Sequence, residues 1–145
     1  MIKNIKHQEQ LLALVIPASH KADGVEFFTP DSFSQQLAYM HHPAGHKIDA
    51  HRHNHISREV NYTQEVLIMR KGRLRVDFYS DEESYLKSYV LNAGDVILLI
   101  NGGHGFQVLE EVEMIEVKQG PYVGDTDKTR FTGIDNNTTD IKLEE

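Results

Sequence analysis

The chain has 145 residues, no cysteine, and 22 Asp and Glu against 15 Lys and Arg, for a net charge of −7. That length suits one domain with one good core, and 39 % hydrophobic with 26 % charged residues is the balance of a soluble globular protein. The acidic balance argues against nucleic acid or an anionic membrane as partner and leaves a small molecule, while the missing cysteine excludes a disulfide, a thiolate metal cluster and a cysteine nucleophile.

At the amino end Lys3 and Lys6 precede the apolar run Leu11 to Ile16, an arrangement that imitates a signal peptide. Gln8-Glu9-Gln10 interrupts the approach and Pro17 ends a short run with no small-residue cleavage site after it, so residues 11–34 read as amino-terminal strands. No segment is long enough to span a bilayer. A cytoplasmic protein is the expectation.

From residue 35 onward the apolar pattern has mostly period two. Gln35 to Met40 is a predicted strand entering a turn marked by Pro43 and Gly45. Lys47 to His53 is predicted extended, and Glu65 to Met69 is a strand running into Arg70-Lys71-Gly72. In Arg73 to Tyr79 the residues Leu74, Val76 and Phe78 face one side and Arg73, Arg75 and Asp77 the other, the alternation of a half-buried strand. Asp81 to Ser84 turns the chain into Tyr85 to Leu91, and Asn92-Ala93-Gly94-Asp95 is a second turn. Val96 to Ile100 is apolar throughout and is expected to be covered on both faces. Phe106 to Leu109 and Val112 to Val117 supply two more strands, and the polar stretch 124–145 is expected to wrap the surface or to fray beyond Ile134. Many short strands and no long amphipathic helix predict an all-β jelly-roll barrel, a single domain over 1–145 with its core at about 36–118.

Residues two apart on an extended strand share a face, so His51, His53 and His55 would project together. Glu65 shares its face with Leu67 and Met69, and an ionised carboxylate among apolar neighbours costs several kcal/mol, on the order of a lost charge pair, unless a cation or metal compensates it. His104 stands among glycines in Asn101-Gly102-Gly103-His104-Gly105, which lets a tight bend turn it inward. If they converge, His51, His53, Glu65 and His104 would make a site of three imidazoles and a carboxylate. Such a set suits a divalent first-row metal with positions left open, and does not choose among iron, manganese, nickel, cobalt and zinc. Glu59 and His55 are rival ligands, although Glu59 lies in a polar, loop-like stretch and Glu65 begins an apolar strand. His41, His42 and His46 flank a turn and read as solvent-facing. Tyr62, Phe106 and Met69 read as barrel filler before substrate platforms, and Glu110, Glu111, Glu113 and Glu116 as a solvated strand face.

Gly45-x5-His51-x-His53, then Glu65-x6-Gly72, then Gly94-Asp95 with His104, closely resembles the two motifs of the cupin superfamily over roughly residues 36–118. The resemblance implies a small jelly-roll barrel with His51, His53, Glu65 and His104 as metal ligands. Eleven residues separate His53 from Glu65 where the usual pattern has three or four, so the hairpin there is enlarged. In the second motif Ile100 stands for the expected proline, the glycine-to-histidine spacing is one residue short, and Val108 stands for the later asparagine.

A narrower likeness runs through Ala50-His51-Arg52-His53, Thr63-Gln64-Glu65-Val66-Leu67-Ile68 and the segment from Pro121 to Phe131. These are similar to deoxysugar-nucleotide ketoisomerase cupins of bacterial surface-polysaccharide pathways. Those relatives use a histidine pair as acid and base in place of a metal, a second role for His51 and His53.

Three functions follow as expectations. The first is a metal-dependent isomerase or epimerase acting on a small polar molecule, a sugar or sugar derivative, with Glu59, His55 or Tyr62 as candidate proton carriers. The second is an iron-dependent oxygenase at the same ligands. The third is a non-catalytic small-molecule binding or sensing barrel. A homodimer is expected, since small barrels bury edge strands by pairing and cupins commonly do so.

Overall fold

The apolar runs of the sequence become the middle of one sheet. The structure, a computed structural model, describes residues 1–135 and 140–144, and within them every regular element except one turn of 3-10 helix at Gly124–Asp127 is a strand. In chain order these are β1 (Lys3–His7), β2 (Gln10–Ile16), β3 (Gly24–Phe27), β4 (Ala38–His41), β5 (Glu65–Tyr79), β6 (Tyr85–Asn92), β7 (Val96–Leu99) and β8 (Gly103–Lys118). Contacts divide the chain into two units, Met1–His20 with Thr63–Glu145, and Lys21–Tyr62. No helix among the described residues is long and apolar enough to cross a membrane.

The first unit is a curled antiparallel half-barrel. Its sheet runs β1-β2-β7-β5-β6, with β8 against the other side of β5. β2 and β7 lie inside the sheet, which is why Ala13 to Val15 and Ile97 to Leu99 are buried as an unbroken apolar run with no polar alternation. The core gathers on the inner face from Ile5, Leu12, Leu67, Met69, Leu74, Val76, Phe78, Leu91 and Ile97.

The sequence reads two strands at 65–69 and 73–79 and two more at 106–109 and 112–117. The structure fuses each pair into one long strand, β5 and β8, laid side by side as a ribbon. The turn chemistry at Arg70-Lys71-Gly72 does not end the strand; it bends it. Register slips at Met69/Lys71, Lys71/Arg73 and Arg73/Leu74 are bulges, which kink a ladder and raise its twist. Gly72 takes φ +80°, and a Cβ there would sit 1.9 Å from the Glu111 carbonyl oxygen. Only glycine permits that approach.

The two turns at 81–84 and 92–95 form as expected. Asp95 organises the second: its carboxylate accepts the Asn92 and Ala18 amides, both at 2.8 Å, and Gly94 presses on the Ala18 side chain. Gly94-Asp95 therefore has a structural task.

Arg75 and Asp77 are not on a solvent face. Both are buried, with Arg75 Nε donating to Asp77 Oδ1 at 2.7 Å and Nη2 to Oδ2 at 3.0 Å. The Ser88 hydroxyl also donates to Asp77, and Tyr85 hydrogen-bonds Ser88. The cover is the carboxy-terminal segment. Phe131 packs edge-on against Tyr79, the Ile134 amide donates to the Tyr79 hydroxyl, and Leu143 bridges Ser88 in parallel. A Cβ on Gly103 would come within 2.8 Å of the Phe131 ring. Of the stretch expected to wrap or fray, 136–139 and 145 lie outside the described residues.

The second unit pairs β3 with β4, from Gly24 opposite His41 to Phe27 opposite Ala38. The turn at Pro43 and Gly45 forms, closed by the His46 amide on the Pro43 carbonyl at 3.2 Å. The extended strand expected at Lys47 to His53 does not form: residues 46–60 carry no ladder and are exposed. Lys47, Asp49, His51 and His53 make one face wholly polar and the other carries only Ile48 and Ala50 beside Arg52, too little apolar area to hold a ladder.

Candidate functional site: a carboxylate, an imidazole and an ammonium inside the half-barrel

Folding the β5–β8 ribbon at Gly72 returns its two ends toward each other. Glu65 opens β5 and pairs with Lys118 at the far end of β8, while His104, near the start of β8, pairs with Phe78. Directly opposed residues share a face, so Glu65 and Lys118 lie on the side of Leu67 and Met69, and His104 lies on the side of Phe78. Both sides are the core side. The bend closes the gap: His104 Nε2 stands 3.5 Å from Glu65 Oε2, and Lys118 Nζ stands 3.3 Å from Glu65 Oε1.

The Glu65 side chain is only 8 % exposed, whereas His104 and Lys118 are 30 % and 29 % exposed. The carboxylate is the floor of the site, and the imidazole and the ammonium are its opening. His104 holds the Glu65 carboxyl at about 2, against an ordinary 4.5; burial opposes the shift and Lys118 adds to it. Burial works against the Lys118 ammonium, but Glu65 and Glu116 outweigh it and keep Lys118 above its ordinary value. Glu65 is thus an ionised acceptor at neutral pH. It orients an imidazole and an ammonium, the arrangement by which a carboxylate fixes the tautomer of a proton-carrying histidine. Phe106 lies beside His104, ring centroids 5.3 Å apart, half open to solvent in place of filling a core.

Of the four expected ligands, Glu65 and His104 are therefore brought together. His51 and His53 belong to the second unit, where they stand as neighbours with ring centroids 5.5 Å apart and edge to face. His51 Nδ1 donates to the Asp49 carbonyl at 2.9 Å, which leaves Nε2 as the lone-pair nitrogen. Glu59, His55 and Tyr62 lie in the same exposed stretch without regular structure. Within neither unit do three or more described His, Asp or Glu side chains stand close enough to hold a metal ion.

Lys118 is the member that sequence reasoning passed over. Its signal was parity: if Val112 to Val117 continues by one residue and ends opposite Glu65, Lys118 must share the Glu65 face. That inference needs the register, which depends on bulges no local pattern discloses. Searches of family models, of curated proteins and of solved structures find no match to the chain.

Proposed function

We propose that the protein is a cupin-type jelly-roll enzyme that isomerises or epimerises a small polar carbonyl compound, a sugar or sugar derivative, at Glu65, His104 and Lys118. The observation that carries the reading is the buried carboxylate with an imidazole and an ammonium on its two oxygens, at 3.5 and 3.3 Å. Moving a carbonyl or inverting the centre beside it requires removing a proton from the adjacent carbon and returning one elsewhere, while charge builds on the carbonyl oxygen. His104, with Nε2 turned to Glu65, offers Nδ1 as the proton carrier. Glu65 stabilises the imidazolium formed in between, and Lys118 supplies positive charge for the developing enolate oxygen.

The donor types also suit a metal: imidazole and carboxylate ligands fit a divalent first-row ion, and the Nδ1 donation of His51 to a carbonyl is the way metal-binding imidazoles are oriented. Such an ion would polarise the substrate carbonyl. Lys118 works the other way, because it already neutralises Glu65 and would repel a dication. Lys118 therefore favours metal-independent acid–base chemistry over the metal-dependent form.

Incubation with a panel of aldoses, ketoses and their derivatives in deuterated water tests the reading. Deuterium should enter the carbon next to the carbonyl with the wild type and fail to enter with His104→Gln. Equimolar metal in protein made without a histidine tag, lost in His51→Ala, would select the metal-dependent form. Oxygen uptake with added ferrous iron would instead select the oxygenase, and saturable binding without exchange a binding barrel. A homodimer accompanies the proposal. Among the described residues β8 pairs only with β5, and its exposed Ile115 and Val117 favour cover by a second copy.

A further inference from the structure

Beside Lys118 the first unit has a cleft of about 140 Å³. It is lined by Thr63 and Lys118 and by Asp125, Asp127, Lys128 and Arg130 from the segment after β8. We propose that this cleft binds the phosphate group of a phosphorylated small molecule. The proposal deepens the function above, since it makes the substrate of Glu65 and His104 a phosphate ester.

The charges point this way. In a chain of net charge −7, three cations meet in one small cleft; Lys118 is shared with Glu65 and Glu116, and the two carboxylates of the cleft are both engaged, which leaves Lys128 and Arg130 as its available charge. Asp127 accepts the Thr63 hydroxyl, and Asp125 takes a single Arg130 nitrogen at a loose 3.4 Å. The other donors of the guanidinium are left over. The Lys128 ammonium has no carboxylate partner among the described residues. A phosphate monoester is largely a dianion near pH 7 with three acceptor oxygens, and it matches a planar guanidinium fork with an ammonium group in the same cleft. A carboxylate has half that charge and one acceptor oxygen fewer.

Size limits the occupant. The cleft has room for a phosphate with the first atoms attached to it, and falls well short of the ~300 Å³ that whole drug-sized ligands occupy. The rest of the molecule must lie outside. Lys118 lines the cleft and reaches Glu65 Oε1 at 3.3 Å, so a phosphate held there brings the carbons attached to it toward the carboxylate–imidazole pair. In this role the phosphate is the handle whose binding energy orients the reacting end.

The test is binding of inorganic phosphate to the full chain, by calorimetry and thermal midpoint at constant ionic strength, with acetate as the carboxylate control. The expected result is saturable phosphate binding and a raised midpoint, a loss of about tenfold or more in affinity in the Lys128→Ala/Arg130→Ala double variant, and little effect of acetate. Lys128 and Arg130 are exposed, so the double variant should fold as the wild type does. Glu65→Gln should still bind phosphate. Absence of saturable binding, equal binding by the double variant, or acetate binding as tightly as phosphate would each overturn the proposal. None of these outcomes depends on turnover, so the deuterium-exchange reading of Glu65 and His104 fails or stands separately.

Discussion

A carboxylate–imidazole pair stands in each unit, and the closer of the two is the weaker. Asp23 Oδ1 and His41 Nδ1 in the second unit are 3.1 Å apart, but both lie in open water, with Asp23 fully exposed. Glu65 and His104 in the first unit are 3.5 Å apart with Glu65 buried against the core. In the second of these arrangements the Glu65 carboxyl is held at about 2. Water screens the first pair and solvates both partners equally well apart, whereas Glu65, once folded in, has no water to return to. What makes a functional pair here is the scaffold under it, and the scaffold is unevenly distributed between the units.

The largest expected effects test that unevenness directly. Phe78→Ala empties a site in the core, where the side chain is 1 % exposed, and should lower stability by about 3 to 5 kcal/mol in urea unfolding. Phe27→Ala removes the same group from β3, where it is 60 % exposed, and should cost no more than about 0.5 kcal/mol. Equal losses would break the comparison by showing that the second unit is held as firmly as the first. Asp77→Ala belongs with Phe78→Ala. It leaves the Arg75 guanidinium buried without its partner, at a cost of about 3 to 5 kcal/mol by the same measurement.

Next comes the bend that brings the site together. Gly72→Ala forces a side chain into the Glu111 carbonyl at positive φ and should cost about 1 to 3 kcal/mol. It should also loosen Glu65 from His104, which separates it from an ordinary destabilised variant: the acid dependence described next should flatten in Gly72→Ala and persist in a core variant such as Leu91→Ala.

The pH dependence follows from Glu65. Its folded pKa is depressed to about 2 from 4.5, so the folded state binds the proton less readily than the unfolded one. Its stabilisation is fully present above about pH 4.5 and is lost as pH falls through 4.5 toward 2. Since His104 and Lys118 are partly open to solvent, the contribution is discounted to about 2 kcal/mol. Urea unfolding of the wild type and Glu65→Gln between pH 7 and 3 should show the two converging as acid is added. A constant difference across that range would place the worth of Glu65 in packing and not in charge.

How far these contrasts were legible from residue order depends on whether apolar side chains were present to carry the pattern. Glu65 could be placed on the inner face because Leu67 and Met69 fix which face that is, and β7 could be placed inside the sheet because Val96 to Ile100 leaves no polar side. The same reasoning failed at Lys47 to His53. His51, His53 and His55 alternate with Arg52 and Asn54, and the segment offers only Ile48 and Ala50 to bury, so no ladder holds it. It failed differently at Arg75 and Asp77, where a correct alternation was read but the cover comes from Phe131 and Ile134, far along the chain and isolated among polar residues. Lys118 and the cleft beyond it depend on register and on a bulged bend, which are properties of strand pairs.

The smallest expected effect is the most direct check on the opening contrast. Asp23→Asn removes the charge from the shorter of the two pairs while keeping the shape of the side chain. If separation governed the worth of such pairs, this variant would be hurt more than Glu65→Gln. Because Asp23 is fully exposed and His41 largely so, the expected outcome is a thermal midpoint indistinguishable from the wild type at pH 7, with the same fall on acidification. A lowered midpoint, or an acid dependence as altered as that of Glu65→Gln, would mean that Asp23 and His41 are shielded from water in solution, and burial would no longer separate the two units.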